Sequence, residues 1–235
     1  MPASTTLLDE SNFDSIPDTI KAFRDGKFIV VLDDPTRENE GDLIISAKSI
    51  TPNQMAFMVR HSSGYVCAPL APQICDRLHL PPMVSRSQDP RCTAYTVSVD
   101  ASHPSVTTGI SAHDRAFACR TLANPGAKAE DLRRPGHVLP LKAKQGGVRE
   151  RRGHTEAAID FCRLAGHEEA AVICELVDDG TPSPDKAEHE NPGMLRGEGC
   201  LAFSRKWGLK VCTIADLVAY LEKHDAKQDS VNGTS

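Results

Sequence analysis

The chain has 235 residues, 40% of them hydrophobic, and its 27 basic and 32 acidic side chains give a net charge of −5 at pH 7. This charge provides no bulk attraction to nucleic acid or to an anionic membrane, so we expect neither as a partner. The longest apolar runs hold five residues, far short of the roughly 20 that cross a bilayer, so we expect no membrane span.

Short apolar strands alternate with helical patterns along the whole chain, without an internal repeat. In chain order, the patterns predict helices over residues 15–24, 52–59, 111–122, 155–165, 199–206 and 214–223. They predict strands over residues 28–32, 43–47, 93–99, 137–141, 170–177 and 211–214. Ser111 lies three residues before Asp114, which is the spacing of a helix cap.

This alternation predicts an α/β or α+β fold, a single domain with a mixed β-sheet flanked by helices. We expect the domain to cover residues 15–224, between a flexible amino-terminal segment at 1–14 and a disordered tail at 225–235. Residues 178–199 hold few apolar side chains, which predicts a long exposed loop or a flexible insertion. The amino-terminal residues contain no secretory signal, so we expect a cytoplasmic protein whose eight cysteines are reduced.

Five carboxylates lie among residues 33–42, between two predicted strands. Glu38, Glu40 and Asp42 alternate, so in an extended segment they share one face, where their charges repel unless a cation or a proton offsets them. A hard divalent metal with oxygen ligands would do so, and the adjacent Arg37 could pair with the carboxylates or bind an anionic substrate. A solvated acidic hairpin loop that turns at Gly41 is the alternative interpretation.

A second cluster combines glycines, arginines and a hydroxyl over residues 146–156, directly before a predicted helix. Free N–H groups and the positive end of the helix dipole favour an anion there, so the cluster predicts a phosphate site. His154 is either a helix cap or surface residue, or a neutral imidazole that binds a metal together with the carboxylates.

Three single residues in or next to predicted strands each have a functional and a structural interpretation. Cys67 could be reactive, or a small buried hydrophobe. His137 could present an imidazole, or belong to a turn. Glu175 lies inside an apolar strand, where a carboxylate needs a partner or a function unless the strand has an exposed face.

Five motifs, in order along the chain, carry a resemblance to a known family. They are R-E-N-E-G-D at residues 37–42, S-S-G-x-x-C at 62–67, T-T-G-I-S-A-H-D-R at 107–115, R-P-G-H-V-x-P-L at 134–141 and G-H-T-E-A at 153–157. Together they closely resemble the 3,4-dihydroxy-2-butanone 4-phosphate synthases of riboflavin biosynthesis. The resemblance covers residues 18–220, which is nearly the whole chain.

The resemblance implies a carbon–carbon lyase that converts D-ribulose 5-phosphate to L-3,4-dihydroxy-2-butanone 4-phosphate and formate. The implied route passes through a metal-stabilised enediol, a dehydration, a skeletal rearrangement and the loss of C4. The resemblance also implies Mg²⁺ or Mn²⁺ as the cofactor, with two ions and no organic cofactor. A homodimer with its sites near the subunit interface is implied as well.

Carried over residue by residue, the resemblance implies Glu38 and His154 as metal ligands. The implied catalytic residues are His137, Glu175, Asp42 and Cys67. The implied substrate contacts are Arg37, Glu38, Asp42, Arg151, Arg152, Gly153, His154, Thr155 and Glu175. This chain has Arg152 where many relatives have glycine, which reduces backbone freedom in the phosphate loop. Another metal-dependent phosphosugar enzyme and a non-catalytic phosphate-binding module stay open as alternatives.

Overall fold

The computed structural model describes residues 12–232 of the chain, with the side chains of residues 12–225. Its helices are α1 (Ile16–Arg24), α2 (Pro52–His61), α3 (Pro72–Arg77), α4 (Ala112–Leu122), α5 (His154–Ala165), α6 (Glu198–Trp207) and α7 (Ile214–Asn232). Its strands are β1 (Ile29–Leu32), β2 (Gly41–Ser46), β3 (Cys67–Leu70), β4 (Val99–Ala101), β5 (Leu132–Lys142), β6 (Ala171–Glu175), β7 (Val177–Asp178), β8 (Thr181–Pro182), β9 (His189–Glu190), β10 (Gly193–Met194) and β11 (Lys210–Thr213).

Seven of these strands form one mixed sheet in the order β11-β1-β2-β6-β3-β5-β4. Strand β1 runs parallel to β11, and β3 runs parallel to β5, while the other neighbours are antiparallel. In this register Asp42 of β2 lies opposite Glu175 of β6. Two residues that are far apart in the sequence therefore meet in the middle of the sheet.

Helices cover both faces of the sheet, because its central strands are apolar on both sides. On β1, Val30 and Leu32 belong to the core beneath α2, α4 and α6. Ile29 and Val31 face the other way and pack with the apolar side chains of α1, α5 and α7. This arrangement confirms the predicted α/β class with a mixed sheet flanked by helices. None of the helices within residues 12–232 is both long enough and apolar enough to cross a membrane.

Helix ends follow local capping chemistry that is visible in the sequence. The Ser111 hydroxyl accepts the N–H of Asp114, which confirms the predicted cap of α4. Thr51 and Gln54 form a reciprocal capping box at the start of α2. Helix α5 ends at Gly166, whose φ of 71° is the left-handed conformation that glycine adopts without strain.

The predicted strand over residues 93–99 is wrong for most of its length. Residues 95 and 96 form only isolated bridges, and the regular strand β4 begins at Val99. Thr96 donates its N–H to the carbonyl of Pro140, but proline has no N–H to return. The antiparallel ladder of backbone hydrogen bonds is therefore interrupted at this position, although the alternating side chains predict a strand there.

Both ends of the predicted domain differ from the structure. Asp14 falls in the segment predicted to be flexible, yet it donates its N–H to Val211 and accepts from Lys210; residues 1–11 lie outside the described residues. Helix α7 runs to Asn232 rather than 223, so it includes residues 225–232 of the predicted disordered tail. Neither glycine nor proline occurs between Ile214 and Asn232 to end the helix earlier.

Residues 178–199 are mostly exposed, as predicted, but they contain local structure. Strand β7 pairs with β10, and β8 pairs with β9, in two small antiparallel sheets. Leu195 donates its N–H to Leu176 at 3.1 Å, so the segment returns to the residue that directly follows β6. Arg196 then binds Glu40 at 3.0 Å, which places the end of the segment beside the acidic residues 33–42.

Candidate active site

A cavity of about 280 Å³ lies where β2, β6 and β3 meet the amino-terminal end of α5. Eight of the residues predicted for the site line it: Arg37, Glu38, Asp42, Cys67, Arg151, His154, Thr155 and Glu175. A larger cavity of about 900 Å³, along residues 75–96, includes none of the predicted site residues. The smaller cavity is therefore the candidate active site.

Asp42 is the most deeply buried carboxylate of this cavity, with 2% of its surface exposed. Burial raises the pKa of Asp42 well above its usual value, and the charges of Glu175 and Glu38 raise it further. Its Oδ1 lies 3.5 Å from Nδ1 of His154 and has no hydrogen-bond partner among the described residues. Such a carboxyl exchanges a proton more readily near neutral pH than an ordinary aspartate does.

His154 is the first residue of α5 and is also buried in the wall of the cavity. Burial lowers the pKa of its imidazole, although Asp33 and Glu38 act in the opposite direction. The ring is therefore neutral near pH 7, which is the form that binds metals. Within the described part of the chain, its Nε2 has no hydrogen-bond partner, although it is buried. A buried ring nitrogen in that state is available to bind a metal ion or to form a hydrogen bond with a bound molecule.

Asp33 holds the acidic segment in one conformation. Its buried carboxylate accepts the N–H groups of Glu38 at 3.1 Å and Glu40 at 3.0 Å, and it binds Nη1 of Arg37 at 2.8 Å. The turn therefore directs Glu38, Glu40 and Asp42 into the same cavity. The alternative of a freely solvated acidic hairpin does not fit this arrangement, because Asp33 and Asp42 are buried.

Glu38 and His154 line the same cavity and offer a divalent cation one carboxylate and one imidazole. The Glu38 carboxylate already attracts positive charge, since Nη1 of Arg37 lies 2.6 Å from it and Nε of Arg91 lies 3.2 Å from it. A carboxylate oxygen and a neutral imidazole are both suitable ligands. Residues 12–232 contain no group of three or more His, Cys, Asp or Glu side chains arranged to hold a metal. A cation held by these two residues would therefore need ligands other than His, Cys, Asp and Glu side chains of the described part of this chain.

The amino-terminal end of α5 is open toward an anion. Gly153 precedes the helix and provides no side-chain cap, so the first N–H groups keep their positive potential. A Cβ at Gly153 would lie 2.4 Å from Nη1 of Arg151, so any side chain there would displace the guanidinium of Arg151. Arg151 in turn binds Glu156 at 2.6 Å. Arg152 is exposed, and neither Arg152 nor Gly153 lines the cavity.

Cys67 and Glu175 line the cavity from neighbouring strands. Burial, together with the charge of Glu175, raises the pKa of the Cys67 thiol, so it stays protonated. The Ser63 hydroxyl donates to Oε2 of Glu175 at 3.1 Å. The structure therefore assigns Cys67 no thiolate chemistry and leaves Glu175 as an ionisable group directly opposite Asp42.

His137 is not among the residues that line the cavity. It lies on β5 with its Nδ1 2.8 Å from Oδ2 of Asp100, and its side chain is 42% exposed. A single chain therefore does not bring His137 together with Asp42 and His154.

Besides the apolar Leu141 and Ile173, four residues that were not predicted for the site also line the cavity: Asp89, Arg91, Thr93 and Tyr95. Arg91 donates to the carbonyl of Arg37 at 2.6 Å, and Arg151 donates to the carbonyl of Arg91 at 3.1 and 3.2 Å. The dipeptide Asp89-Pro90 is a turn signal in the sequence. That signal predicts a loop but not the part of the molecule that the loop contacts.

Comparisons with known proteins give the chain a family. The family model described as 3,4-dihydroxy-2-butanone 4-phosphate synthase matches residues 17–220. The enzyme of that name from Pyricularia oryzae is 62% identical over 231 residues, which are 98% of this chain and 99% of that protein. The riboflavin biosynthesis protein RibBA of Nocardia farcinica is 49% identical over 215 residues, which are 92% of this chain and 50% of that protein.

A solved structure shows the same agreement in three dimensions. It is a crystal structure of 3,4-dihydroxy-2-butanone 4-phosphate synthase in complex with two magnesium ions, with a TM-score of 0.89 and 64% sequence identity. The match covers 91% of this chain and 99% of that one. The resemblance carried by the five sequence motifs is thereby confirmed, and the chain belongs to the 3,4-dihydroxy-2-butanone 4-phosphate synthase family.

Proposed function

We propose that this chain is a carbon–carbon lyase of riboflavin biosynthesis that converts D-ribulose 5-phosphate to L-3,4-dihydroxy-2-butanone 4-phosphate and formate. One observation carries the proposal. Asp42, whose pKa is raised, lies opposite Glu175 and next to the neutral imidazole of His154, in one small cavity at a helix end that attracts anions. These groups place residues suited to proton transfer, to metal binding and to phosphate binding in one cavity.

The substrate phosphate binds at the amino-terminal end of α5 in this proposal. His154 and Thr155 offer backbone N–H groups there, whereas the N–H of Gly153 is already donated to the carbonyl of Arg151. The side chain of Arg151 lines the same cavity and adds positive charge. Arg152 is exposed next to the same helix end and adds positive charge at the entrance. Arg37, which also lines the cavity, contacts the sugar hydroxyls or the phosphate in this proposal.

Glu38 and His154 would hold the divalent cofactor, Mg²⁺ or Mn²⁺. The structure of a family member with two magnesium ions supports two ions, and no organic cofactor is proposed. When bound, such ions supply positive charge that stabilises the oxyanions of the substrate. The unpartnered Nε2 of His154 supports this assignment independently of the family.

Asp42 and Glu175 transfer the protons. The hydrogen on the carbon next to the ketone is the acidic one, and a carboxylate of this pair removes it to form the enediol. The protonated partner then gives a proton to the departing C1 hydroxyl, which leaves as water. The raised pKa of Asp42 suits it to hold that proton at neutral pH. Cys67, as a protonated thiol, lines the cavity beside this pair.

The stoichiometry defines the later steps. The substrate contains all the atoms of the two products together, so the water lost in the dehydration must be regained before formate leaves. After the skeletal rearrangement, water therefore adds to the carbonyl carbon that was C4, and the bond from this carbon to the four-carbon product breaks. The bonding electrons stay on the product, where a proton replaces the lost carbon.

We propose a homodimer to account for His137. In one chain this residue lies outside the cavity, yet its imidazole is half-exposed and is held by a carboxylate. A second copy could present its His137 to the cavity of the first. Mixed dimers of a Glu38→Ala chain and a His137→Ala chain then regain activity, because one of the two sites has both residues. Mixtures that stay as inactive as either variant alone contradict the proposal.

The test of the reaction measures formate and the four-carbon phosphate from ribulose 5-phosphate with Mg²⁺. We expect both products in equal amounts and no turnover with a chelator. Glu38→Ala and His154→Ala should fold normally and lose turnover. The exposed pair Glu190→Ala and His189→Ala provides matched controls that keep it. An isomerised pentose phosphate without formate would support the isomerase alternative instead, and wild-type turnover in Glu38→Ala or His154→Ala would reject the ligand assignment.

A further inference from the structure

Both oxygens of the Glu38 carboxylate contact arginine side chains. Nη1 of Arg37 lies 2.6 Å from Oε2, and Nε of Arg91 lies 3.2 Å from Oε1. Glu38 is also one of the two residues proposed above to hold the divalent cation. A cation that binds either oxygen therefore comes close to a guanidinium group, and two positive charges repel each other strongly at such short range. One of the two arginines must move away from Glu38 when the cation binds.

Arg37 is the arginine that stays in place. The nitrogen that contacts Glu38, Nη1, also lies 2.8 Å from Oδ2 of the buried Asp33, so withdrawing it from Glu38 withdraws it from Asp33 as well. Leaving a buried carboxylate without its cation costs far more than losing an exposed ion pair. The side chain of Arg37 is 19% exposed, whereas that of Arg91 is 44% exposed. A cation at Glu38 therefore displaces Arg91.

Several hydrogen bonds hold Arg91 beside Glu38. The carboxylate of Asp89 accepts the backbone N–H of Arg91 at 3.0 Å. The carbonyl of Arg91 accepts from Nε and Nη2 of Arg151 at 3.2 and 3.1 Å. The Arg91 side chain itself donates from Nη2 to the carbonyl of Arg37 at 2.6 Å. Because backbone and side chain are both held, less conformational entropy is lost in this ion pair than in one between two mobile surface side chains.

We infer that Arg91 competes with the divalent cation for Glu38: its guanidinium contacts Oε1, and the cation has to displace it, so Arg91 lowers the affinity of the site for the cation. The inference rests on the proposed function, because that function makes Glu38 a metal ligand. The exchange keeps positive charge next to Glu38 throughout, which limits the repulsion among the carboxylates of residues 33–42. It also gives a role to a residue that lies outside all five sequence motifs.

The substitution Arg91→Met separates competition from positioning. If Arg91 instead orients Glu38 for the cation, its removal weakens cation binding, whereas competition predicts tighter binding. Methionine keeps an unbranched side chain and removes the charge and the donors. The bonds from Asp89 and Arg151 go to the backbone of residue 91, so the substitution leaves them in place. Competition from an exposed ion pair of this kind corresponds to about 2- to 5-fold in affinity.

The experiment titrates the full chain with Mn²⁺ at constant pH and salt, without substrate, and measures free Mn²⁺ by electron paramagnetic resonance. We expect Arg91→Met to bind Mn²⁺ about 2- to 5-fold more tightly than the wild type. Arg86→Met is the matched control, because Arg86 is an exposed arginine five residues away that forms no ion pair within the described residues. It changes the net charge equally and should leave the affinity unchanged. Arg91→Gln is a second variant with the same expectation as Arg91→Met.

A second pair of titrations shows whether the effect acts through Glu38. In a Glu38→Ala chain the shared carboxylate is gone, so adding Arg91→Met should not tighten Mn²⁺ binding. Unchanged or weaker binding by the two Arg91 variants overturns the inference, and so does equal tightening in Arg86→Met or in the Glu38→Ala chain. Binding by Glu38→Ala that equals the wild type would instead reject the metal assignment of the proposed function. Weakened binding by Glu38→Ala together with unchanged binding by Arg91→Met rejects only the competition.

Discussion

Replacing Asp33 by alanine tests whether one buried carboxylate organises the acidic segment. The change removes the acceptor of the N–H groups of Glu38 and Glu40 and one ion pair of Arg37. A buried donor left without a partner costs about 1–3 kcal/mol, and breaking a buried ion pair costs about 3–5 kcal/mol. Because these N–H groups are only partly buried and Arg37 keeps Glu38, we expect a loss of about 3 kcal/mol.

The measurement is urea unfolding of Asp33→Ala followed by circular dichroism, with turnover measured on the same samples. Asp34→Ala is the neighbouring control, because Asp34 is exposed and, among the described residues, its carboxylate accepts hydrogen bonds only from Thr36. Its backbone carbonyl, which accepts from Arg37 and Asn39, is unchanged by the substitution. This control should lose less than about 1 kcal/mol and keep its turnover. Asp33→Ala should lose turnover even where it is fully folded, because the turn no longer directs Glu38 into the cavity. Equal stability of the two variants would refute the reasoning.

Three further predictions follow from individual contacts. Asp114→Asn should lower the free energy of unfolding at pH 7, and its deficit relative to the wild type should shrink as the pH falls below about 4 in pH-dependent unfolding. The reason is that, although burial acts in the opposite direction, hydrogen bonds hold the pKa of Asp114 below its usual value. Asp42→Asn should abolish turnover but raise the Tm measured with a chelator, because burial penalises the ionised carboxylate; an unchanged or lower Tm contradicts this. Gly153→Ala should raise KM for ribulose 5-phosphate, since its Cβ displaces Arg151, whereas Gly193→Ala, which meets no atom within 4 Å, should not.

Local signals in the sequence predict the elements and much of the site. The apolar run at residues 28–32 and the cap at Ser111 depend on neighbours in the chain, and both are found in the structure. The motifs select Glu38, Asp42 and His154, which share one cavity. The motifs predict these three residues correctly because the R-E-N-E-G-D motif forms a single turn and the G-H-T-E-A motif forms a single helix end.

Contacts between distant segments are what the sequence does not predict. Arg91 has no motif around it, and its contact with Glu38 depends on how residues 89–93 fold back onto another loop. The pairing of Asp100 with His137 depends on a bulge between two strands, which side-chain alternation does not reveal. The failure of the strand predicted at 93–99 has a similar origin, because the missing N–H belongs to Pro140 on β5.

The hydrogen bond between Leu195 and Leu176 has a consequence for engineering. This bond joins the two ends of the exposed segment between residues 176 and 195, so the segment begins and ends at nearly the same point in space. The entropic cost of closing such a loop grows slowly with loop length, and each doubling of the length adds only about 0.6 kcal/mol. An epitope tag or a fluorescent reporter placed near Asp185 would therefore lengthen the chain without displacing Glu175.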